Sequence, residues 1–403
     1  MINDNEGVVK PDLLTRLSLT LQAAWRSDAA WLLLLRPLSI LYCFVLAVRR
    51  QLFMRGFRAI YRAPVPVVVV GNISVGGTGK TPVVIALARA LCARGLRVGI
   101  VSRGYGASRG PFPRRVTPES AWRDAGDEPL MIARQTGCPV VIAPRRADAV
   151  RALVSWQSPQ VVISDDGLQH LALARDLEIA VLDAAMGVGN GRLLPAGPLR
   201  ESAARLDDCD WILQRDSRNA ARHFRYRVDG LVHMQTGDTQ PPAIFAGRRV
   251  HAVAGIAQPA AFFDSLRGFG MVLSAHRFAD HHGFVDKDFS DLDDRPIIMT
   301  EKDAVKCESV AGRDYWFLRI SAEVPDALVD DVASLLTSGP TKPQDTTPQE
   351  ESRYAVFSHY PGALCVQPIT RQTIAGYRGK AHAPACLGAR ATERCRLRRD
   401  RHG

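Results

Sequence analysis

The stretch "GNISVGGTGKTP" has the residue types and spacing of a loop that binds the phosphates of a nucleotide. Glycines in such a loop let backbone N–H groups converge on a phosphate at the start of a helix. Lys80 would contact the β- and γ-phosphates, and the hydroxyl of Thr81 would bind Mg²⁺. The sequence therefore predicts a nucleotide site formed by Ser74, Val75, Gly76, Gly77, Thr78, Gly79, Lys80 and Thr81.

Two positions of this loop are unusual. The first position of the common pattern G-x-x-x-x-G-K-[ST] is glycine, but here it is Ser74. A small residue is acceptable there if its φ stays negative, and the serine hydroxyl could add a phosphate contact. Val75 stands where a ParA/MinD-like switch ATPase, the main alternative, carries a lysine that acts across a dimer. The valine weighs against that alternative, and a membrane-tethered assembly factor that binds nucleotide without phosphoryl transfer is a third class.

A pair of carboxylates follows a second apolar run. In "QVVISDDGLQH" the residues Asp165 and Asp166 come directly after Val161–Ile163. An acid at the end of a neighbouring strand is where a phosphate loop finds its magnesium partner, so one of the two is predicted to hold Mg²⁺. The structural alternative is an Asp-Gly turn that caps a helix.

The elements around these motifs predict a parallel α/β sheet. Several apolar segments rich in Val and Ile are typical of parallel strands buried on both faces. A helix pattern over Thr81–Arg94 ends at Gly95. The predicted strands are Val65–Gly71, Arg97–Ser102, Pro139–Ile142, Val161–Ser164, Ile179–Asp183, Trp211–Leu213, Val250–Val253, Pro296–Met299 and Trp316–Ile320. Phe224–Met234 alternates around Asp229-Gly230 and predicts a hairpin there, and Pro259–Arg267 predicts a helix.

Five segments are expected: an N-terminal region with an interfacial helix (1–60), a P-loop core (61–222), a β-hairpin linker (223–245), a smaller α/β lobe (246–337) and a disordered basic tail (338–403). The fold class is therefore α/β, with a mostly parallel sheet of the P-loop NTPase type flanked by helices. The tail is predicted disordered because it is polar, rich in proline and without a sustained period.

Charge and hydropathy indicate an anionic partner and a membrane. The net charge is +11, and eight scattered cysteines favour a reducing compartment over a disulfide scaffold. Trp31–Leu35 and Leu38–Val48 are apolar, Arg36-Pro37 interrupts them, and Arg49, Arg50, Arg55 and Arg58 follow, which favours a helix lying on an anionic bilayer face. A buried core helix is the alternative.

The whole set of motifs resembles the tetraacyldisaccharide 4′-kinase family of lipid A biosynthesis, over roughly residues 30–337. Beside the phosphate loop, the resemblance is carried by "SRGYG" (Ser102–Gly106), "GDEP" (Gly126–Pro129), "DDGLQH" (Asp165–His170), "GNGRLLPAGPLRE" (Gly189–Glu201), "AGIAQPAAFF" (Ala254–Phe263), "FADHH" (Phe278–His282) and "MTEKDAVKC" (Met299–Cys307). It implies a two-lobed kinase that uses ATP and Mg²⁺ on the cytoplasmic face of the inner membrane. The implied substrate is tetraacyldisaccharide 1-phosphate, which is phosphorylated at the 4′-hydroxyl to give lipid IVA, and no nucleic acid is expected as a partner.

The resemblance also implies roles for residues outside the phosphate loop. Asp127 and His281 would form a pair that acts on the acceptor hydroxyl, beside the catalytic Lys80. From the residues alone, Asp127 is equally well explained as a helix cap, and the "DHH" run as a metal site or a surface loop. The polar groups expected around the substrate are Arg103, His170, Arg200 and Glu201, although Arg200 and Glu201 could instead form a surface salt bridge. Glu301, Lys302 and Asp303 either face the ligand cleft or cap a helix.

Overall fold

The computed structural model describes residues 13–183, 187–215, 223–307 and 314–337, and the disorder predicted for residues 338–403 lies outside them. Thirteen strands of this described part form one mixed sheet in the order β11-β10-β12-β13-β8-β7-β6-β1-β5-β2-β4-β3, with β9 paired to β8. The strands are β1 Val67–Gly71, β2 Val98–Ser102, β3 Arg114–Val116, β4 Val140–Ile142, β5 Val161–Asp165, β6 Leu177–Leu182, β7 Trp211–Arg215, β8 His223–His233, β9 Thr239–Gln240, β10 Arg249–Ala254, β11 Val272–Arg277, β12 Ile297–Thr300 and β13 Tyr315–Glu323.

Nine α-helices accompany the sheet in the described residues. They are α1 Leu13–Ser27, α2 Arg36–Met54, α3 Lys80–Ala93, α4 Trp122–Ala125, α5 Asp127–Thr136, α6 Arg146–Gln157, α7 Pro259–Gly268, α8 Glu301–Cys307 and α9 Asp326–Thr337. Short 3-10 helices cover Ala30–Leu35, Ala203–Asp208, Pro242–Phe245 and Asp286–Asp288. The predicted helix after the phosphate loop is confirmed, and Gly95 at its end has a positive φ of 80°.

The core around β1 explains why its valines form a strand. β1 lies between β5 and β6, and both pairings are parallel. Val68 and Val70 belong to the core cluster that also contains residues of α3, α5 and α9, whereas Val67 and Val69 belong to the cluster that contains residues of α6. Because successive side chains enter different cores, every position of the strand must be apolar, and each buried valine contributes about 1.5–3 kcal/mol. The predicted parallel α/β architecture is confirmed.

The second group of strands is also mostly parallel, with α7 packed on one of its faces. The hairpin predicted at Asp229-Gly230 is wrong, because β8 runs straight through this dipeptide. Gly230 pairs with Arg319 and Val228 pairs with Ile320, so Asp229 is an extra residue in the antiparallel ladder. The dipeptide therefore marks a β-bulge, and β8 pairs instead with the short strand β9.

The N-terminal helices present an apolar surface. Within the described residues, the segment Ala30–Met54 is long and apolar enough to cross a membrane by length and composition, with a mean hydropathy of 2.1. Leu32, Ser39 and Phe53 are the buried residues of this segment, and most of its other side chains are exposed or half-buried. Its exposed apolar side chains include Trp31, Leu33, Leu34, Leu38, Ile40, Leu41, Phe44, Val45, Val48 and Met54.

Candidate active site

The phosphate loop connects the end of β1 to the first turn of α3, as the sequence predicts. Gly76 and Gly79 have φ values of 109° and 89°, which L side chains rarely adopt, so these two glycines are required by the backbone. Ser74 is buried and pairs with Leu199, and the N–H of Val75 donates to the carbonyl of Pro198 at 2.9 Å. The first residues of the loop are therefore held by the "LPAGPLRE" segment.

The side chain of Val75 explains why a valine suits this position. It packs against a small apolar cluster formed by the N-terminal Ala24, Trp25 and Leu32, together with Leu194. A lysine here would bring an ammonium group into an apolar contact.

Lys80 lies at the centre of a polar group at the base of the loop. Its ammonium donates to Asn72 Oδ1 at 3.1 Å and lies 3.4 Å from Asp166 Oδ1. The side chain is 12% exposed, so the charge is held rather than free in solvent. This arrangement leaves the ammonium next to the loop amides that would bind phosphate.

Asp165 is a buried carboxyl group with one unsatisfied oxygen. It is the last residue of β5 and pairs in register with Val70 of β1. Its Oδ2 accepts a hydrogen bond from Ser102 Oγ at 3.2 Å, whereas Oδ1 is buried without a hydrogen-bond partner. Burial, together with the charges of Glu128 and Asp166, raises the pKa of Asp165 to about 7. A cation beside Oδ1 would remove this cost.

Asp166, by contrast, is already paired with cations. Its backbone has a φ of 48°, and its carboxylate accepts from Arg200 at 3.2 Å in addition to its contact with Lys80. Burial raises the pKa of Asp166, but the charges of Lys80 and Arg200 outweigh burial and hold the pKa below its ordinary value. The two adjacent acids are therefore in different protonation environments.

Arg146 lies beside Asp165 and Asp166, and the sequence alone did not indicate that this arginine belongs to the site. Its guanidinium is buried, donating to the carbonyls of Asp165 at 3.0 Å and Ala143 at 3.3 Å. Burial lowers the pKa of Arg146 to about 10, while the two aspartates oppose that change. No local signal separates this arginine from a surface residue of a helix.

Asp127 and His281 form a hydrogen-bonded pair, 2.8 Å between Oδ2 and Nδ1. Asp127 is the first residue of α5, and its other oxygen accepts the N–H of Glu128 at 2.9 Å. The N-cap of α5 is Gly126, and no side chain among the described residues caps this helix, so the helix-cap interpretation of Asp127 is wrong and its carboxylate pairs with His281 instead. Burial raises the pKa of Asp127, but the hydrogen bond to His281 and the charge of Lys302 hold that pKa below its ordinary value.

The "DHH" loop holds its two histidines differently. His281 has a φ of 61°, and its ring lies 4.7 Å from the ring of Tyr105, centroid to centroid. His282 points to a different acid, with its Nε2 2.9 Å from Asp288 Oδ2. The consecutive histidines therefore diverge, and His281 alone reaches Asp127 among the two.

The residues predicted around the substrate lie in varied settings. Arg103 is exposed. His170 is half-buried, and its burial, together with the positive charges of Arg146 and Arg103, lowers the pKa of His170 to about 4. Arg200 contacts Asp166, whereas Glu201 accepts from Gln169 at 2.7 Å and lies 3.4 Å from Arg205. The alternative of a salt bridge between Arg200 and Glu201 is thus replaced by two separate sets of partners.

Comparison with known proteins places this chain in one family. The model of the family described as "Tetraacyldisaccharide-1-P 4'-kinase" matches residues 31–337. The chain belongs to this family. A tetraacyldisaccharide 4′-kinase of Pseudomonas putida is 48% identical over 307 residues, which is 75% of this chain and 92% of that relative. One from Pseudomonas aeruginosa is 46% identical over 313 residues, 77% and 94% of the two chains.

A solved member of the family has the same fold. The crystal structure of LpxK from Aquifex aeolicus in complex with ATP is 30% identical, with a TM-score of 0.63. The superposition covers 75% of this chain and 98% of the other. Membership of the tetraacyldisaccharide-1-P 4′-kinase family favours a kinase over the switch ATPase, in agreement with Val75. The part of the chain after residue 337 lies outside the match.

Gly79→Ala is expected to destabilise the nucleotide-free protein. The new Cβ would collide with the Tyr226 hydroxyl, and the φ of 89° is unfavourable for alanine. We expect a loss of about 1–3 kcal/mol in the free energy of unfolding, measured by urea denaturation. Gly77→Ala is the matched control, since its Cβ would meet only Ala257 Cβ at 3.9 Å. Equal stability of the two variants would contradict the steric argument.

Proposed function

We propose that this chain transfers the γ-phosphate of ATP to the 4′-hydroxyl of tetraacyldisaccharide 1-phosphate, forming lipid IVA. The observation that carries the proposal is the 2.8 Å contact between Asp127 and His281, two residues far apart in sequence. The N–H of His281 donates to the carbonyl of Gly255 at 3.3 Å, and Ala257, two residues further along, lies beside Gly77 of the phosphate loop. A base for a hydroxyl thus lies near a phosphate-binding loop, as phosphoryl transfer to an alcohol requires.

The phosphate side of the site is formed by the loop amides and Lys80. The amides and the ammonium would hold the β- and γ-phosphates in place and offset the charge that develops on the transferred group. The residues also fit Mg²⁺: Asp165 Oδ1 is a buried oxygen without a partner, and Thr81 lies next to Lys80 at the start of α3. Thr81, Asp165 and Asp166 would hold the ion, which when bound neutralises phosphate charge.

The proton side of the site is formed by His281 and Asp127. As the substrate oxygen attacks the γ-phosphorus, its proton passes to Nε2 of His281, and the bond from the phosphorus to the ADP oxygen breaks. The Nδ1–H of His281 donates to Asp127, so the carboxylate fixes the tautomer and stabilises the imidazolium that forms. Such proton transfer contributes about 10²–10⁴-fold to a rate.

We assign the binding of the lipid headgroup to Arg103, His170, Arg200 and Glu201. Arg200 is part of the "LPAGPLRE" segment, which also holds Ser74 and Val75 at the start of the phosphate loop. Arginine suits a phosphate because its planar guanidinium can donate two hydrogen bonds at once. A substrate contact at this segment would therefore be transmitted directly to the nucleotide loop.

The N-terminal helices fit a position on the cytoplasmic face of the inner membrane. The apolar surface of Ala30–Met54 faces away from the core, and α2 forms hydrogen bonds with residues 193–200. Tyr42 donates to the carbonyl of Arg200, and Ser39 donates to the carbonyl of Leu193, both at 3.0 Å. A bilayer held against α2 would bring an acylated sugar close to Arg200.

The test is phosphorylation of the lipid itself. Full-length protein in detergent micelles is expected to transfer label from [γ-³²P]ATP to the tetraacylated disaccharide 1-phosphate, with the new phosphate at the 4′-position by NMR. A protein that hydrolyses ATP but never labels this lipid would overturn the proposal. Labelling at another hydroxyl would contradict the assigned position.

A further inference from the structure

Lys302 contacts the one nitrogen of His281 that the proposed reaction needs. Its Nζ lies 3.3 Å from His281 Nε2, while Nδ1 of the same ring faces Asp127 at 2.8 Å. Lys302 is the second residue of α8, directly after β12, so it comes from the lobe opposite α5. The sequence places it in "MTEKDAVKC" but does not distinguish a cleft residue from a helix cap.

The ammonium of Lys302 is fixed by two carboxylates as well as by the imidazole. It donates to Glu128 Oε1 at 3.0 Å and to Asp280 Oδ1 at 3.3 Å. Burial lowers the pKa of Lys302, but the charges of Glu128, Asp127 and Asp280 outweigh burial and raise it, so the side chain stays protonated. A protonated lysine has donors only and no acceptor.

The tautomer of His281 follows from this geometry. Because Lys302 can only donate, Nε2 must accept and keeps its lone pair towards the lysine. The ring proton then sits on Nδ1, where Asp127 accepts it. A neutral imidazole with a free lone pair on Nε2 is the form that can take a proton from a hydroxyl.

We propose that Lys302 is a positioning residue that keeps His281 neutral, with the lone pair on Nε2, until the acceptor hydroxyl takes the place of the ammonium. This inference rests on the proposed role of His281 as the proton acceptor. The ammonium of Lys302 would thus act in two ways: it orients the lone pair of Nε2, and its positive charge disfavours premature protonation of the imidazole.

The other charged and titratable groups around His281 do not replace Lys302. On the same loop, Asp280 Oδ2 is 3.8 Å from Nε2, and from α8 Lys306 reaches Asp127 at 3.9 Å. The groups that contact the imidazole are Asp127 of α5, Asp280 of its own loop, Lys302 of α8 and Tyr105 of the segment after β2. Two further groups act through these: Glu128 of α5 contacts Lys302, and Lys306 of α8 lies near Asp127. Removal of Lys302 leaves mostly carboxylates near Nε2, and these favour protonation.

Lys302→Met is therefore expected to shift the acidic limb of the kcat profile to higher pH by about one unit or more. Turnover should fall about tenfold below the new midpoint and recover in part at alkaline pH. Lys302→Arg keeps the cation and should leave the limb within a few tenths of a unit of the parent protein. Lys287→Met, at an exposed position of the same lobe, is the matched control and should leave the profile unchanged.

A second readout does not depend on turnover. In nucleotide-free protein, the ¹⁵N shifts of the His281 ring, assigned through His281→Ala, should report the Nδ1–H tautomer in the parent and a mixed or protonated ring in Lys302→Met at neutral pH. An unchanged tautomer together with an unchanged acidic limb overturns the proposal. A loss of turnover that is equal at every pH also overturns it, since a tether between lobes would act in that way.

Two variants distinguish an error in the role of Lys302 from an error in the role of His281 as proton acceptor. Full turnover in His281→Ala would remove the proposed role of His281, whatever Lys302 does. An inactive His281→Ala combined with a parental pH profile in Lys302→Met would remove only the role of Lys302. Thermal unfolding of each variant, compared with that of Lys302→Arg, separates both outcomes from misfolding.

Discussion

Replacement of Lys80 by alanine is expected to abolish lipid phosphorylation. The ammonium is held at 3.1 Å by Asn72 and at 3.4 Å by Asp166, so it is positioned before any phosphate arrives. Loss of one preorganised donor to a developing charge costs about 10²–10³-fold in kcat, and loss of a full positive charge should exceed that range. ATP affinity should weaken less than turnover, because the loop amides remain.

Single-turnover transfer of ³²P to the lipid, combined with calorimetric ATP binding, checks this expectation. Lys287→Ala removes an exposed lysine and serves as the control for loss of charge. The nucleotide-free variant should fold, since Asp166 keeps Arg200 as a partner at 3.2 Å. Transfer at more than a tenth of the parental rate would show that the loop works without its lysine and would contradict the assigned role.

The elements of the P-loop core could be predicted because their signals are local. β1 must be apolar at every position, since its alternate side chains enter two cores, and the glycines of the loop follow directly. β8 could not be predicted in this way. Whether Asp229-Gly230 forms a turn or a bulge depends on its pairing with β13, which lies almost a hundred residues further along the chain. A local dipeptide carries no information about that partner.

The residues of the site likewise fall into those with a local sequence signal and those without one. The phosphate loop and the two aspartates are contiguous motifs, and their proximity follows from parallel pairing of β1 with β5. Asp127 and His281 are 154 residues apart, so only the family resemblance joined them. Arg146 and Lys306 were missed because a buried, paired charge has the same sequence pattern as an exposed one.

The exposed apolar surface of the N-terminal helices is connected to the candidate active site by a few direct contacts. Side chains of α2 donate to the carbonyls of Leu193 and Arg200. Pro198 and Leu199, which lie between these two residues, pair with Val75 and Ser74 at the start of the phosphate loop. A change in the position of α2 would therefore reach both the proposed headgroup site and the nucleotide site. Val75, which packs on the N-terminal cluster, belongs to the same connection.

Asp127→Asn is expected to reduce turnover by about 10²–10⁴-fold while leaving ATP affinity nearly unchanged. The carboxylate accepts the Nδ1–H of His281 at 2.8 Å, which an asparagine amide would do only through its oxygen. If the amide nitrogen faces the ring, the proton moves to Nε2, which then meets the donor of Lys302 and has no lone pair for a hydroxyl. The lost charge also removes stabilisation of the imidazolium.

The chain offers a matched control for this change in its adjacent histidine. Asp288→Asn alters the carboxylate 2.9 Å from His282 Nε2, in the same loop region and with the same change of charge. We expect this variant to keep turnover within a few-fold of the parent, because His282 diverges from the Asp127 side. The buried Lys306 keeps Asp303 at 2.9 Å when Asp127 is neutralised, so the fold should persist in both variants. Equal losses of turnover in the two would mean that loop order, rather than the tautomer of His281, limits the reaction.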